Sequence, residues 1–165
     1  PIMLYNIPGR CGVEIAVDTV RRLRESCKNI VAIKESGGNS DRVSQMRAAL
    51  GPGFAILSGD DSLTLPFMAV GAQGVVSVAS NVIPREISQM VKLFRGGKTA
   101  AALRIHEKFY PLLKGLFIET NPIPVKAALA MMKLISEEYR LPLTPMNSEN
   151  RNALRATLKR CGILK

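Results

Sequence analysis

The chain has 165 residues, 47% of them hydrophobic, which is enough to bury one sizeable core and too apolar for a disordered tail. No apolar run approaches the roughly 18 residues of a membrane span, and no charged stretch leading into an apolar one marks a signal peptide. The net charge of +10 raises nucleic acid as a partner, but the basic residues are scattered (RRLRES, KESGG, LFRGGK, TLKR) and aromatics make up only 5%, so a solvated basic surface is expected, with no nucleic-acid and no membrane partner.

An excess of positive charge would also help to capture an anionic substrate. Cys11, Cys27 and Cys161 are odd in number and lack metal-ligand spacing. They read as free thiols in a reducing compartment, so a cytoplasmic protein without a metal site is expected. The chain opens on Pro1 rather than methionine, from which an upstream segment is expected.

Short apolar runs alternate with amphipathic segments. PIMLY predicts a strand, and VEIAVDTVRRLRES a helix with Ile15, Val17, Val20 and Leu23 at helical spacing. NIVAIKE predicts the next strand, followed by a helix over SDRVSQMRAAL with Ser40 or Asp41 as N-cap. FAILSGD predicts a third strand, DSLTLPFMAVG a helix ending at Gly71, and GVVSVAS a fourth strand. PREISQMVKLFRGG follows as a helix with Pro84 in its first turn and Gly96 beyond its end. Residues 1–97 thus form four βα units, and the β-branched runs suit parallel strands buried on both faces.

Residues 98–165 read as wholly helical. AALRIHEKFYPLLKGLF is broken or bent near Pro111, NPIPVKAALAMMKLI is opened by prolines, and SENRNALRATLKRCG closes the chain after a turn at RLPLTPM. Four parallel strands leave two sheet edges, so the α/β fold is either a small doubly wound domain or half of an eight-stranded (β/α) barrel.

The residues with chemistry to offer fall at strand ends. Tyr5, Lys34, Gly59 with Asp60, and Val76 with Ser77 recur at intervals of about one βα unit. In a barrel those ends share the catalytic rim, and in an open sheet they share one binding edge. Lys34 ends the run IVAIK. A stem held among apolar neighbours favours the neutral amine, which attacks a carbonyl to form a Schiff base. A lysine there can equally snorkel to solvent or pair with Glu35.

Tyr5 is placed to shuttle a proton beside such an amine, or to pack with its hydroxyl hydrogen-bonded. Arg10, after the turn at Pro8 and Gly9, is placed to hold a carboxylate by two parallel hydrogen bonds, or simply to line the surface. The SGDD stretch reads as helix capping more readily than as a cation site, and His106 as structural. No P-loop, GxGxxG, GxSxG or CxxC occurs, so nucleotide and triad chemistry have no support.

YNIPGRCG, VAIKES, LSGDD, GAQGVVSVASN and NPIPVKAAL, in that order and nearly end to end, resemble the C-terminal part of the dihydrodipicolinate synthase family of pyruvate-dependent class I aldolases and lyases. The resemblance implies a (β/α)₈ TIM barrel, of which the chain supplies strands five to eight and a C-terminal helical extension. It implies that Lys34 forms the Schiff base with pyruvate, that Tyr5 belongs to the proton relay, and that Arg10 receives the carboxylate of aspartate semialdehyde. Val76 matches an aliphatic residue touching pyruvate. Gly59, at the end of the third strand, is read as a supporting residue of the site.

No cofactor is implied, and a homo-oligomer, dimer or homotetramer, is. The implied activity is that of a lyase of lysine and diaminopimelate biosynthesis. Arg10 and the KES and SGDD wording favour it over N-acetylneuraminate lyase or sugar-acid aldolases, and a non-catalytic self-associating half barrel is the alternative outside enzymes. The family's pyruvate-binding threonine pair, its second relay tyrosine and its lysine-inhibition site lie in the first half of the barrel, outside these residues. Negligible activity of the 165 residues alone is therefore expected.

Overall fold

The computed structural model describes residues 1–165, which divide into two compact units, Pro1–Ser77 and Val78–Lys165. The first unit holds a parallel sheet of β1 (Ile2–Asn6), β2 (Ile30–Glu35), β3 (Ala55–Ser58) and β4 (Gly74–Val75), ordered β1-β2-β3-β4. Its helices are α1 (Pro8–Cys11), α2 (Val17–Ser26), α3 (Ser40–Leu50) and α4 (Thr64–Ala69). The strand order never reverses, so the sheet has no switch point of the kind that defines a doubly wound domain.

The two faces of this sheet differ. One carries Asn6, Ile33, Glu35, Ile56 and Ser58, all essentially excluded from solvent. The other carries Tyr5, Lys34 and Leu57, matched in register across β1, β2 and β3. Burial on both faces was expected of every strand, yet Ile2, Met3 and Tyr5 of β1 are 46%, 44% and 45% exposed. Only β2 flanks β1, so its side chains have packing partners on one side.

Several boundaries depart from expectation for local reasons. Helix α2 starts at Val17 rather than Val13, because side chains take both backbone groups of Ile15. Its N–H donates to Asn6 Oδ1 and its carbonyl accepts from Arg42, which leaves neither for a helical ladder. Helix α3 is capped by Asn39, not Ser40 or Asp41. Asn39 has extended backbone, and its Oδ1 accepts from the Asp41 N–H at 2.9 Å. A short 3₁₀ turn, Asp61–Leu63, precedes α4. Strand β4 spans only Gly74–Val75. The Val76 N–H still donates to the Ser58 carbonyl at 2.8 Å, but β3 ends there and the ladder runs out.

The second unit is helical: α5 (Pro84–Arg95), α6 (Thr99–Gly115), α7 (Ile123–Met131) and α8 (Ser148–Arg160), with a 3₁₀ turn at Ala79–Asn81. Helix α6 packs on α5 and α8, and α8 on α7, burying Leu112, Leu113, Leu116, Leu154 and Leu158. Helix α6 runs through Pro111 rather than breaking there. The segment between α7 and α8 is tied down by Glu137, which accepts from Arg151 and from the Tyr139 hydroxyl. Burial and that hydrogen bond push the Tyr139 phenol up to about 12. His106 packs against Tyr110 with ring centroids 5.6 Å apart and the rings tilted by 49°, and burial lowers its affinity for a proton.

Candidate active site

The C-terminal ends of the four strands stay bonded one residue past the sheet. Ser36 N–H donates to the Asn6 carbonyl at 2.9 Å, Gly59 N–H to the Glu35 carbonyl at 2.7 Å, and Val76 N–H to the Ser58 carbonyl at 2.8 Å. These bonds hold Tyr5, Lys34, Gly59 and Val76 along one rim, as their spacing in the sequence predicts.

Lys34 is half-buried at the end of β2. Its register partner on β1 is Tyr5, and its Nζ lies over the Tyr5 ring, 4.0 Å from the centroid. That contact, rather than a pairing with Glu35, sets the direction of the amine. Glu35 points to the opposite face, as alternation along a strand requires.

Gly59 closes the other side. A Cβ there would fall 2.9 Å from Lys34 Cε and 1.9 Å from Ser36 Oγ, so only a glycine lets the β3 end approach the lysine stem this closely. The Ser36 hydroxyl is buried and has no hydrogen-bond partner. It lies on the Lys34 side of β2, two residues along. Nothing in the motif wording singles out Ser36, although its position in the alternation could have.

Arg10 sits in the last turn of α1, exposed, on the loop that follows β1. Gly12, with φ of 70°, closes that turn. Val76 is half-buried beyond β4. Asp60 acts as a cap: its Oδ1 accepts from the Ser62 N–H and hydroxyl, each at 2.8 Å. No group of three or more His, Cys, Asp or Glu side chains converges anywhere in the chain.

A buried polar network lies behind the rim and was not anticipated from the sequence. Glu35, fully buried, accepts from Asn6 Nδ2 at 2.7 Å and the Gly37 N–H at 2.6 Å through Oε1, and from Arg42 Nε at 2.9 Å through Oε2. Arg42 also reaches Glu14 at 3.1 Å and the Ile15 carbonyl. The one signal was an acid inside an apolar strand, which must find partners if buried.

The rim thus brings the Lys34 amine over the Tyr5 ring, and comparison with known proteins shows the family to which the chain belongs. The profile of the Dihydrodipicolinate synthetase family matches residues 1–161. The chain belongs to this family. It is 54% identical over 160 residues to 4-hydroxy-tetrahydrodipicolinate synthase of Aquifex aeolicus, covering 97% of this chain and 54% of that protein.

Among solved structures, the 4-hydroxy-tetrahydrodipicolinate synthase of Methylacidiphilum fumariolicum SolV matches with a TM-score of 0.97 and 59% identity over 98% of this chain and 54% of that one. The chloride-inhibited dihydrodipicolinate synthase of Acinetobacter baumannii, solved with pyruvate, matches with a TM-score of 0.95 and 41% identity over 99% and 56%. The chain spans about half the length of these family members.

Proposed function

We propose that this chain carries the imine-forming half of a 4-hydroxy-tetrahydrodipicolinate synthase. It would supply strands five to eight and the C-terminal helices of a (β/α)₈ barrel. The parallel order without reversal, the exposed apolar side chains of β1 and the half-length match support that placement. The observation that carries the function is Lys34 at a strand C-terminal end, its amine over Tyr5 and its stem against Gly59.

In this reading the neutral Lys34 amine attacks the ketone carbon of pyruvate, and loss of water from the carbinolamine leaves an imine. Removal of a methyl proton gives the enamine, whose carbon attacks the aldehyde of aspartate semialdehyde. Tyr5 passes the protons. Val76 contacts bound pyruvate, and Arg10 binds the second substrate's carboxylate at the mouth of the site. The working protein is a homo-oligomer. The free thiols of Cys11, Cys27 and Cys161 fit a reducing, cytoplasmic setting. No helix is long and apolar enough to cross a membrane.

The reading is tested by a coupled condensation assay on the full-length protein carrying these residues, with pyruvate and aspartate semialdehyde both required for product. Turnover with N-acetylneuraminate in place of these substrates would overturn it. Arg10→Ala is expected to lower kcat/KM for the semialdehyde by about 2–4 kcal/mol in transition-state terms, while imine formation with pyruvate survives. Equal loss of both steps would make Arg10 structural. The 165 residues by themselves are expected to self-associate through the edges of β1 and β4 and to show negligible turnover. Light scattering and the same assay, run on one sample, check both points.

A further inference from the structure

We propose that the buried Glu35–Arg42 pair, with Asn6 and Glu14, is a positioning device that fixes the Arg10 loop against the strand end bearing Lys34; it rests on the reading of Arg10 and Lys34 just given. The loop between β1 and α2 has almost no core of its own. Residues 9–14 are all exposed, and Ile15 is only half-buried. Hydrophobic burial therefore does little to set where Arg10 stands.

Polar contacts contribute instead: at the near end the α1 turn, where the Arg10 N–H donates to the Ile7 carbonyl at 3.0 Å, and at the far end a set of side chains. Asn6, the last residue of β1, accepts from the Ile15 N–H at 3.0 Å. Arg42 bonds the Ile15 carbonyl with one guanidinium nitrogen and Glu14 at 3.1 Å with another. Arg42 is itself held by Nε to Glu35 at 2.9 Å, and Glu35 is bonded to Asn6 at 2.7 Å. The circuit joins the ends of β1 and β2, the loop exit and α3 through one guanidinium. Glu35 follows Lys34 directly, so the group that anchors the loop also anchors the strand end that aims the amine.

A buried ion pair is a poor way to add stability, because desolvation offsets most of its attraction. The planar fork of arginine is suited to holding several acceptors at fixed angles, which a lysine cannot reproduce. Geometry, rather than stability, is what this pair supplies.

The test uses Arg42→Lys and Glu14→Ala in the full-length protein. Lysine at 42 keeps a charge for Glu35 but cannot span Glu14 and Ile15 together. Glu14→Ala removes the acceptor on the loop while leaving the buried pair whole, and so keeps the test available if the first variant folds poorly. Amide exchange at residues 9–13 is expected to speed up about tenfold while β2 and β3 are unchanged. kcat/KM for the semialdehyde should fall about tenfold with the rate of pyruvate trapping on Lys34 preserved.

In an Arg10→Ala background the same substitutions should add no further loss, because the effect runs through Arg10. Unchanged loop exchange, acceleration across the whole first unit, or a fully additive loss would overturn the proposal. Loop exchange reads out without any turnover. Faster loop exchange in a protein that does not trap pyruvate would therefore sink the enzymatic reading and leave the clamp standing.

Discussion

Lys34→Ala is expected to abolish condensation, lowering kcat by about 10⁴–10⁶-fold, the range that loss of a covalent nucleophile costs in other enzymes. Lys34 reaches the rim because β2 ends there, and its register partner Tyr5 gives its Nζ a ring face at 4.0 Å. Folding should hardly notice the change. The side chain is half-buried rather than part of the core, and loss of the cation–π contact is worth about 0.5–1 kcal/mol. Circular dichroism and urea unfolding close to wild type, with activity at background, is the expected pair of results. Activity retained within tenfold would remove Lys34 from the chemistry.

Gly59→Ala is expected to be the most damaging methyl group at the site. The new Cβ would meet Ser36 Oγ at 1.9 Å and Lys34 Cε and Cγ at 2.9 and 3.0 Å. The serine hydroxyl can swing away. The lysine stem has to move, because the added carbon touches it at two points. A displacement of the amine by about 1 Å is enough to cost about 10²-fold in rate, and overpacking adds about 1–3 kcal/mol of instability. Gly53→Ala is the matched control, since nothing lies within 4 Å of its Cβ position. Stopped-flow rates of imine formation separate the two. If Gly59→Ala forms the imine as fast as Gly53→Ala, the stem of Lys34 is not held by the β3 end.

Much of this was legible in the sequence, because strands and helices here have clear apolar periods. PIMLY, NIVAIKE and FAILSGD place β1, β2 and β3 within a few residues, and α5 and α7 open at their prolines, whereas α6 runs through Pro111. Tyr5 and Lys34 were legible as a pair because both end strands, and parallel strands that pair in sequence bring their ends together.

What was not legible depends on partners far along the chain. Glu35 and Asn6 are 29 residues apart and Arg42 and Glu14 are 28 apart, so no local pattern announces their contacts. The same side chains shorten α2, whose apolar period continues back to Ile15 although the backbone there is already committed to Asn6 and Arg42. GVVSVAS reads as a full strand by composition, yet β4 has only two residues because β3 gives it no longer ladder to join.

The claim on which the rest depends is that Lys34 is the amine that captures pyruvate. Incubating the full-length protein with pyruvate and borohydride, then mapping the reduced adduct by peptide mass spectrometry, tests it most directly. A single adduct on the peptide carrying VAIKES, absent in Lys34→Ala, is the expected result. A pyruvate adduct on any other lysine of the wild-type protein would contradict it.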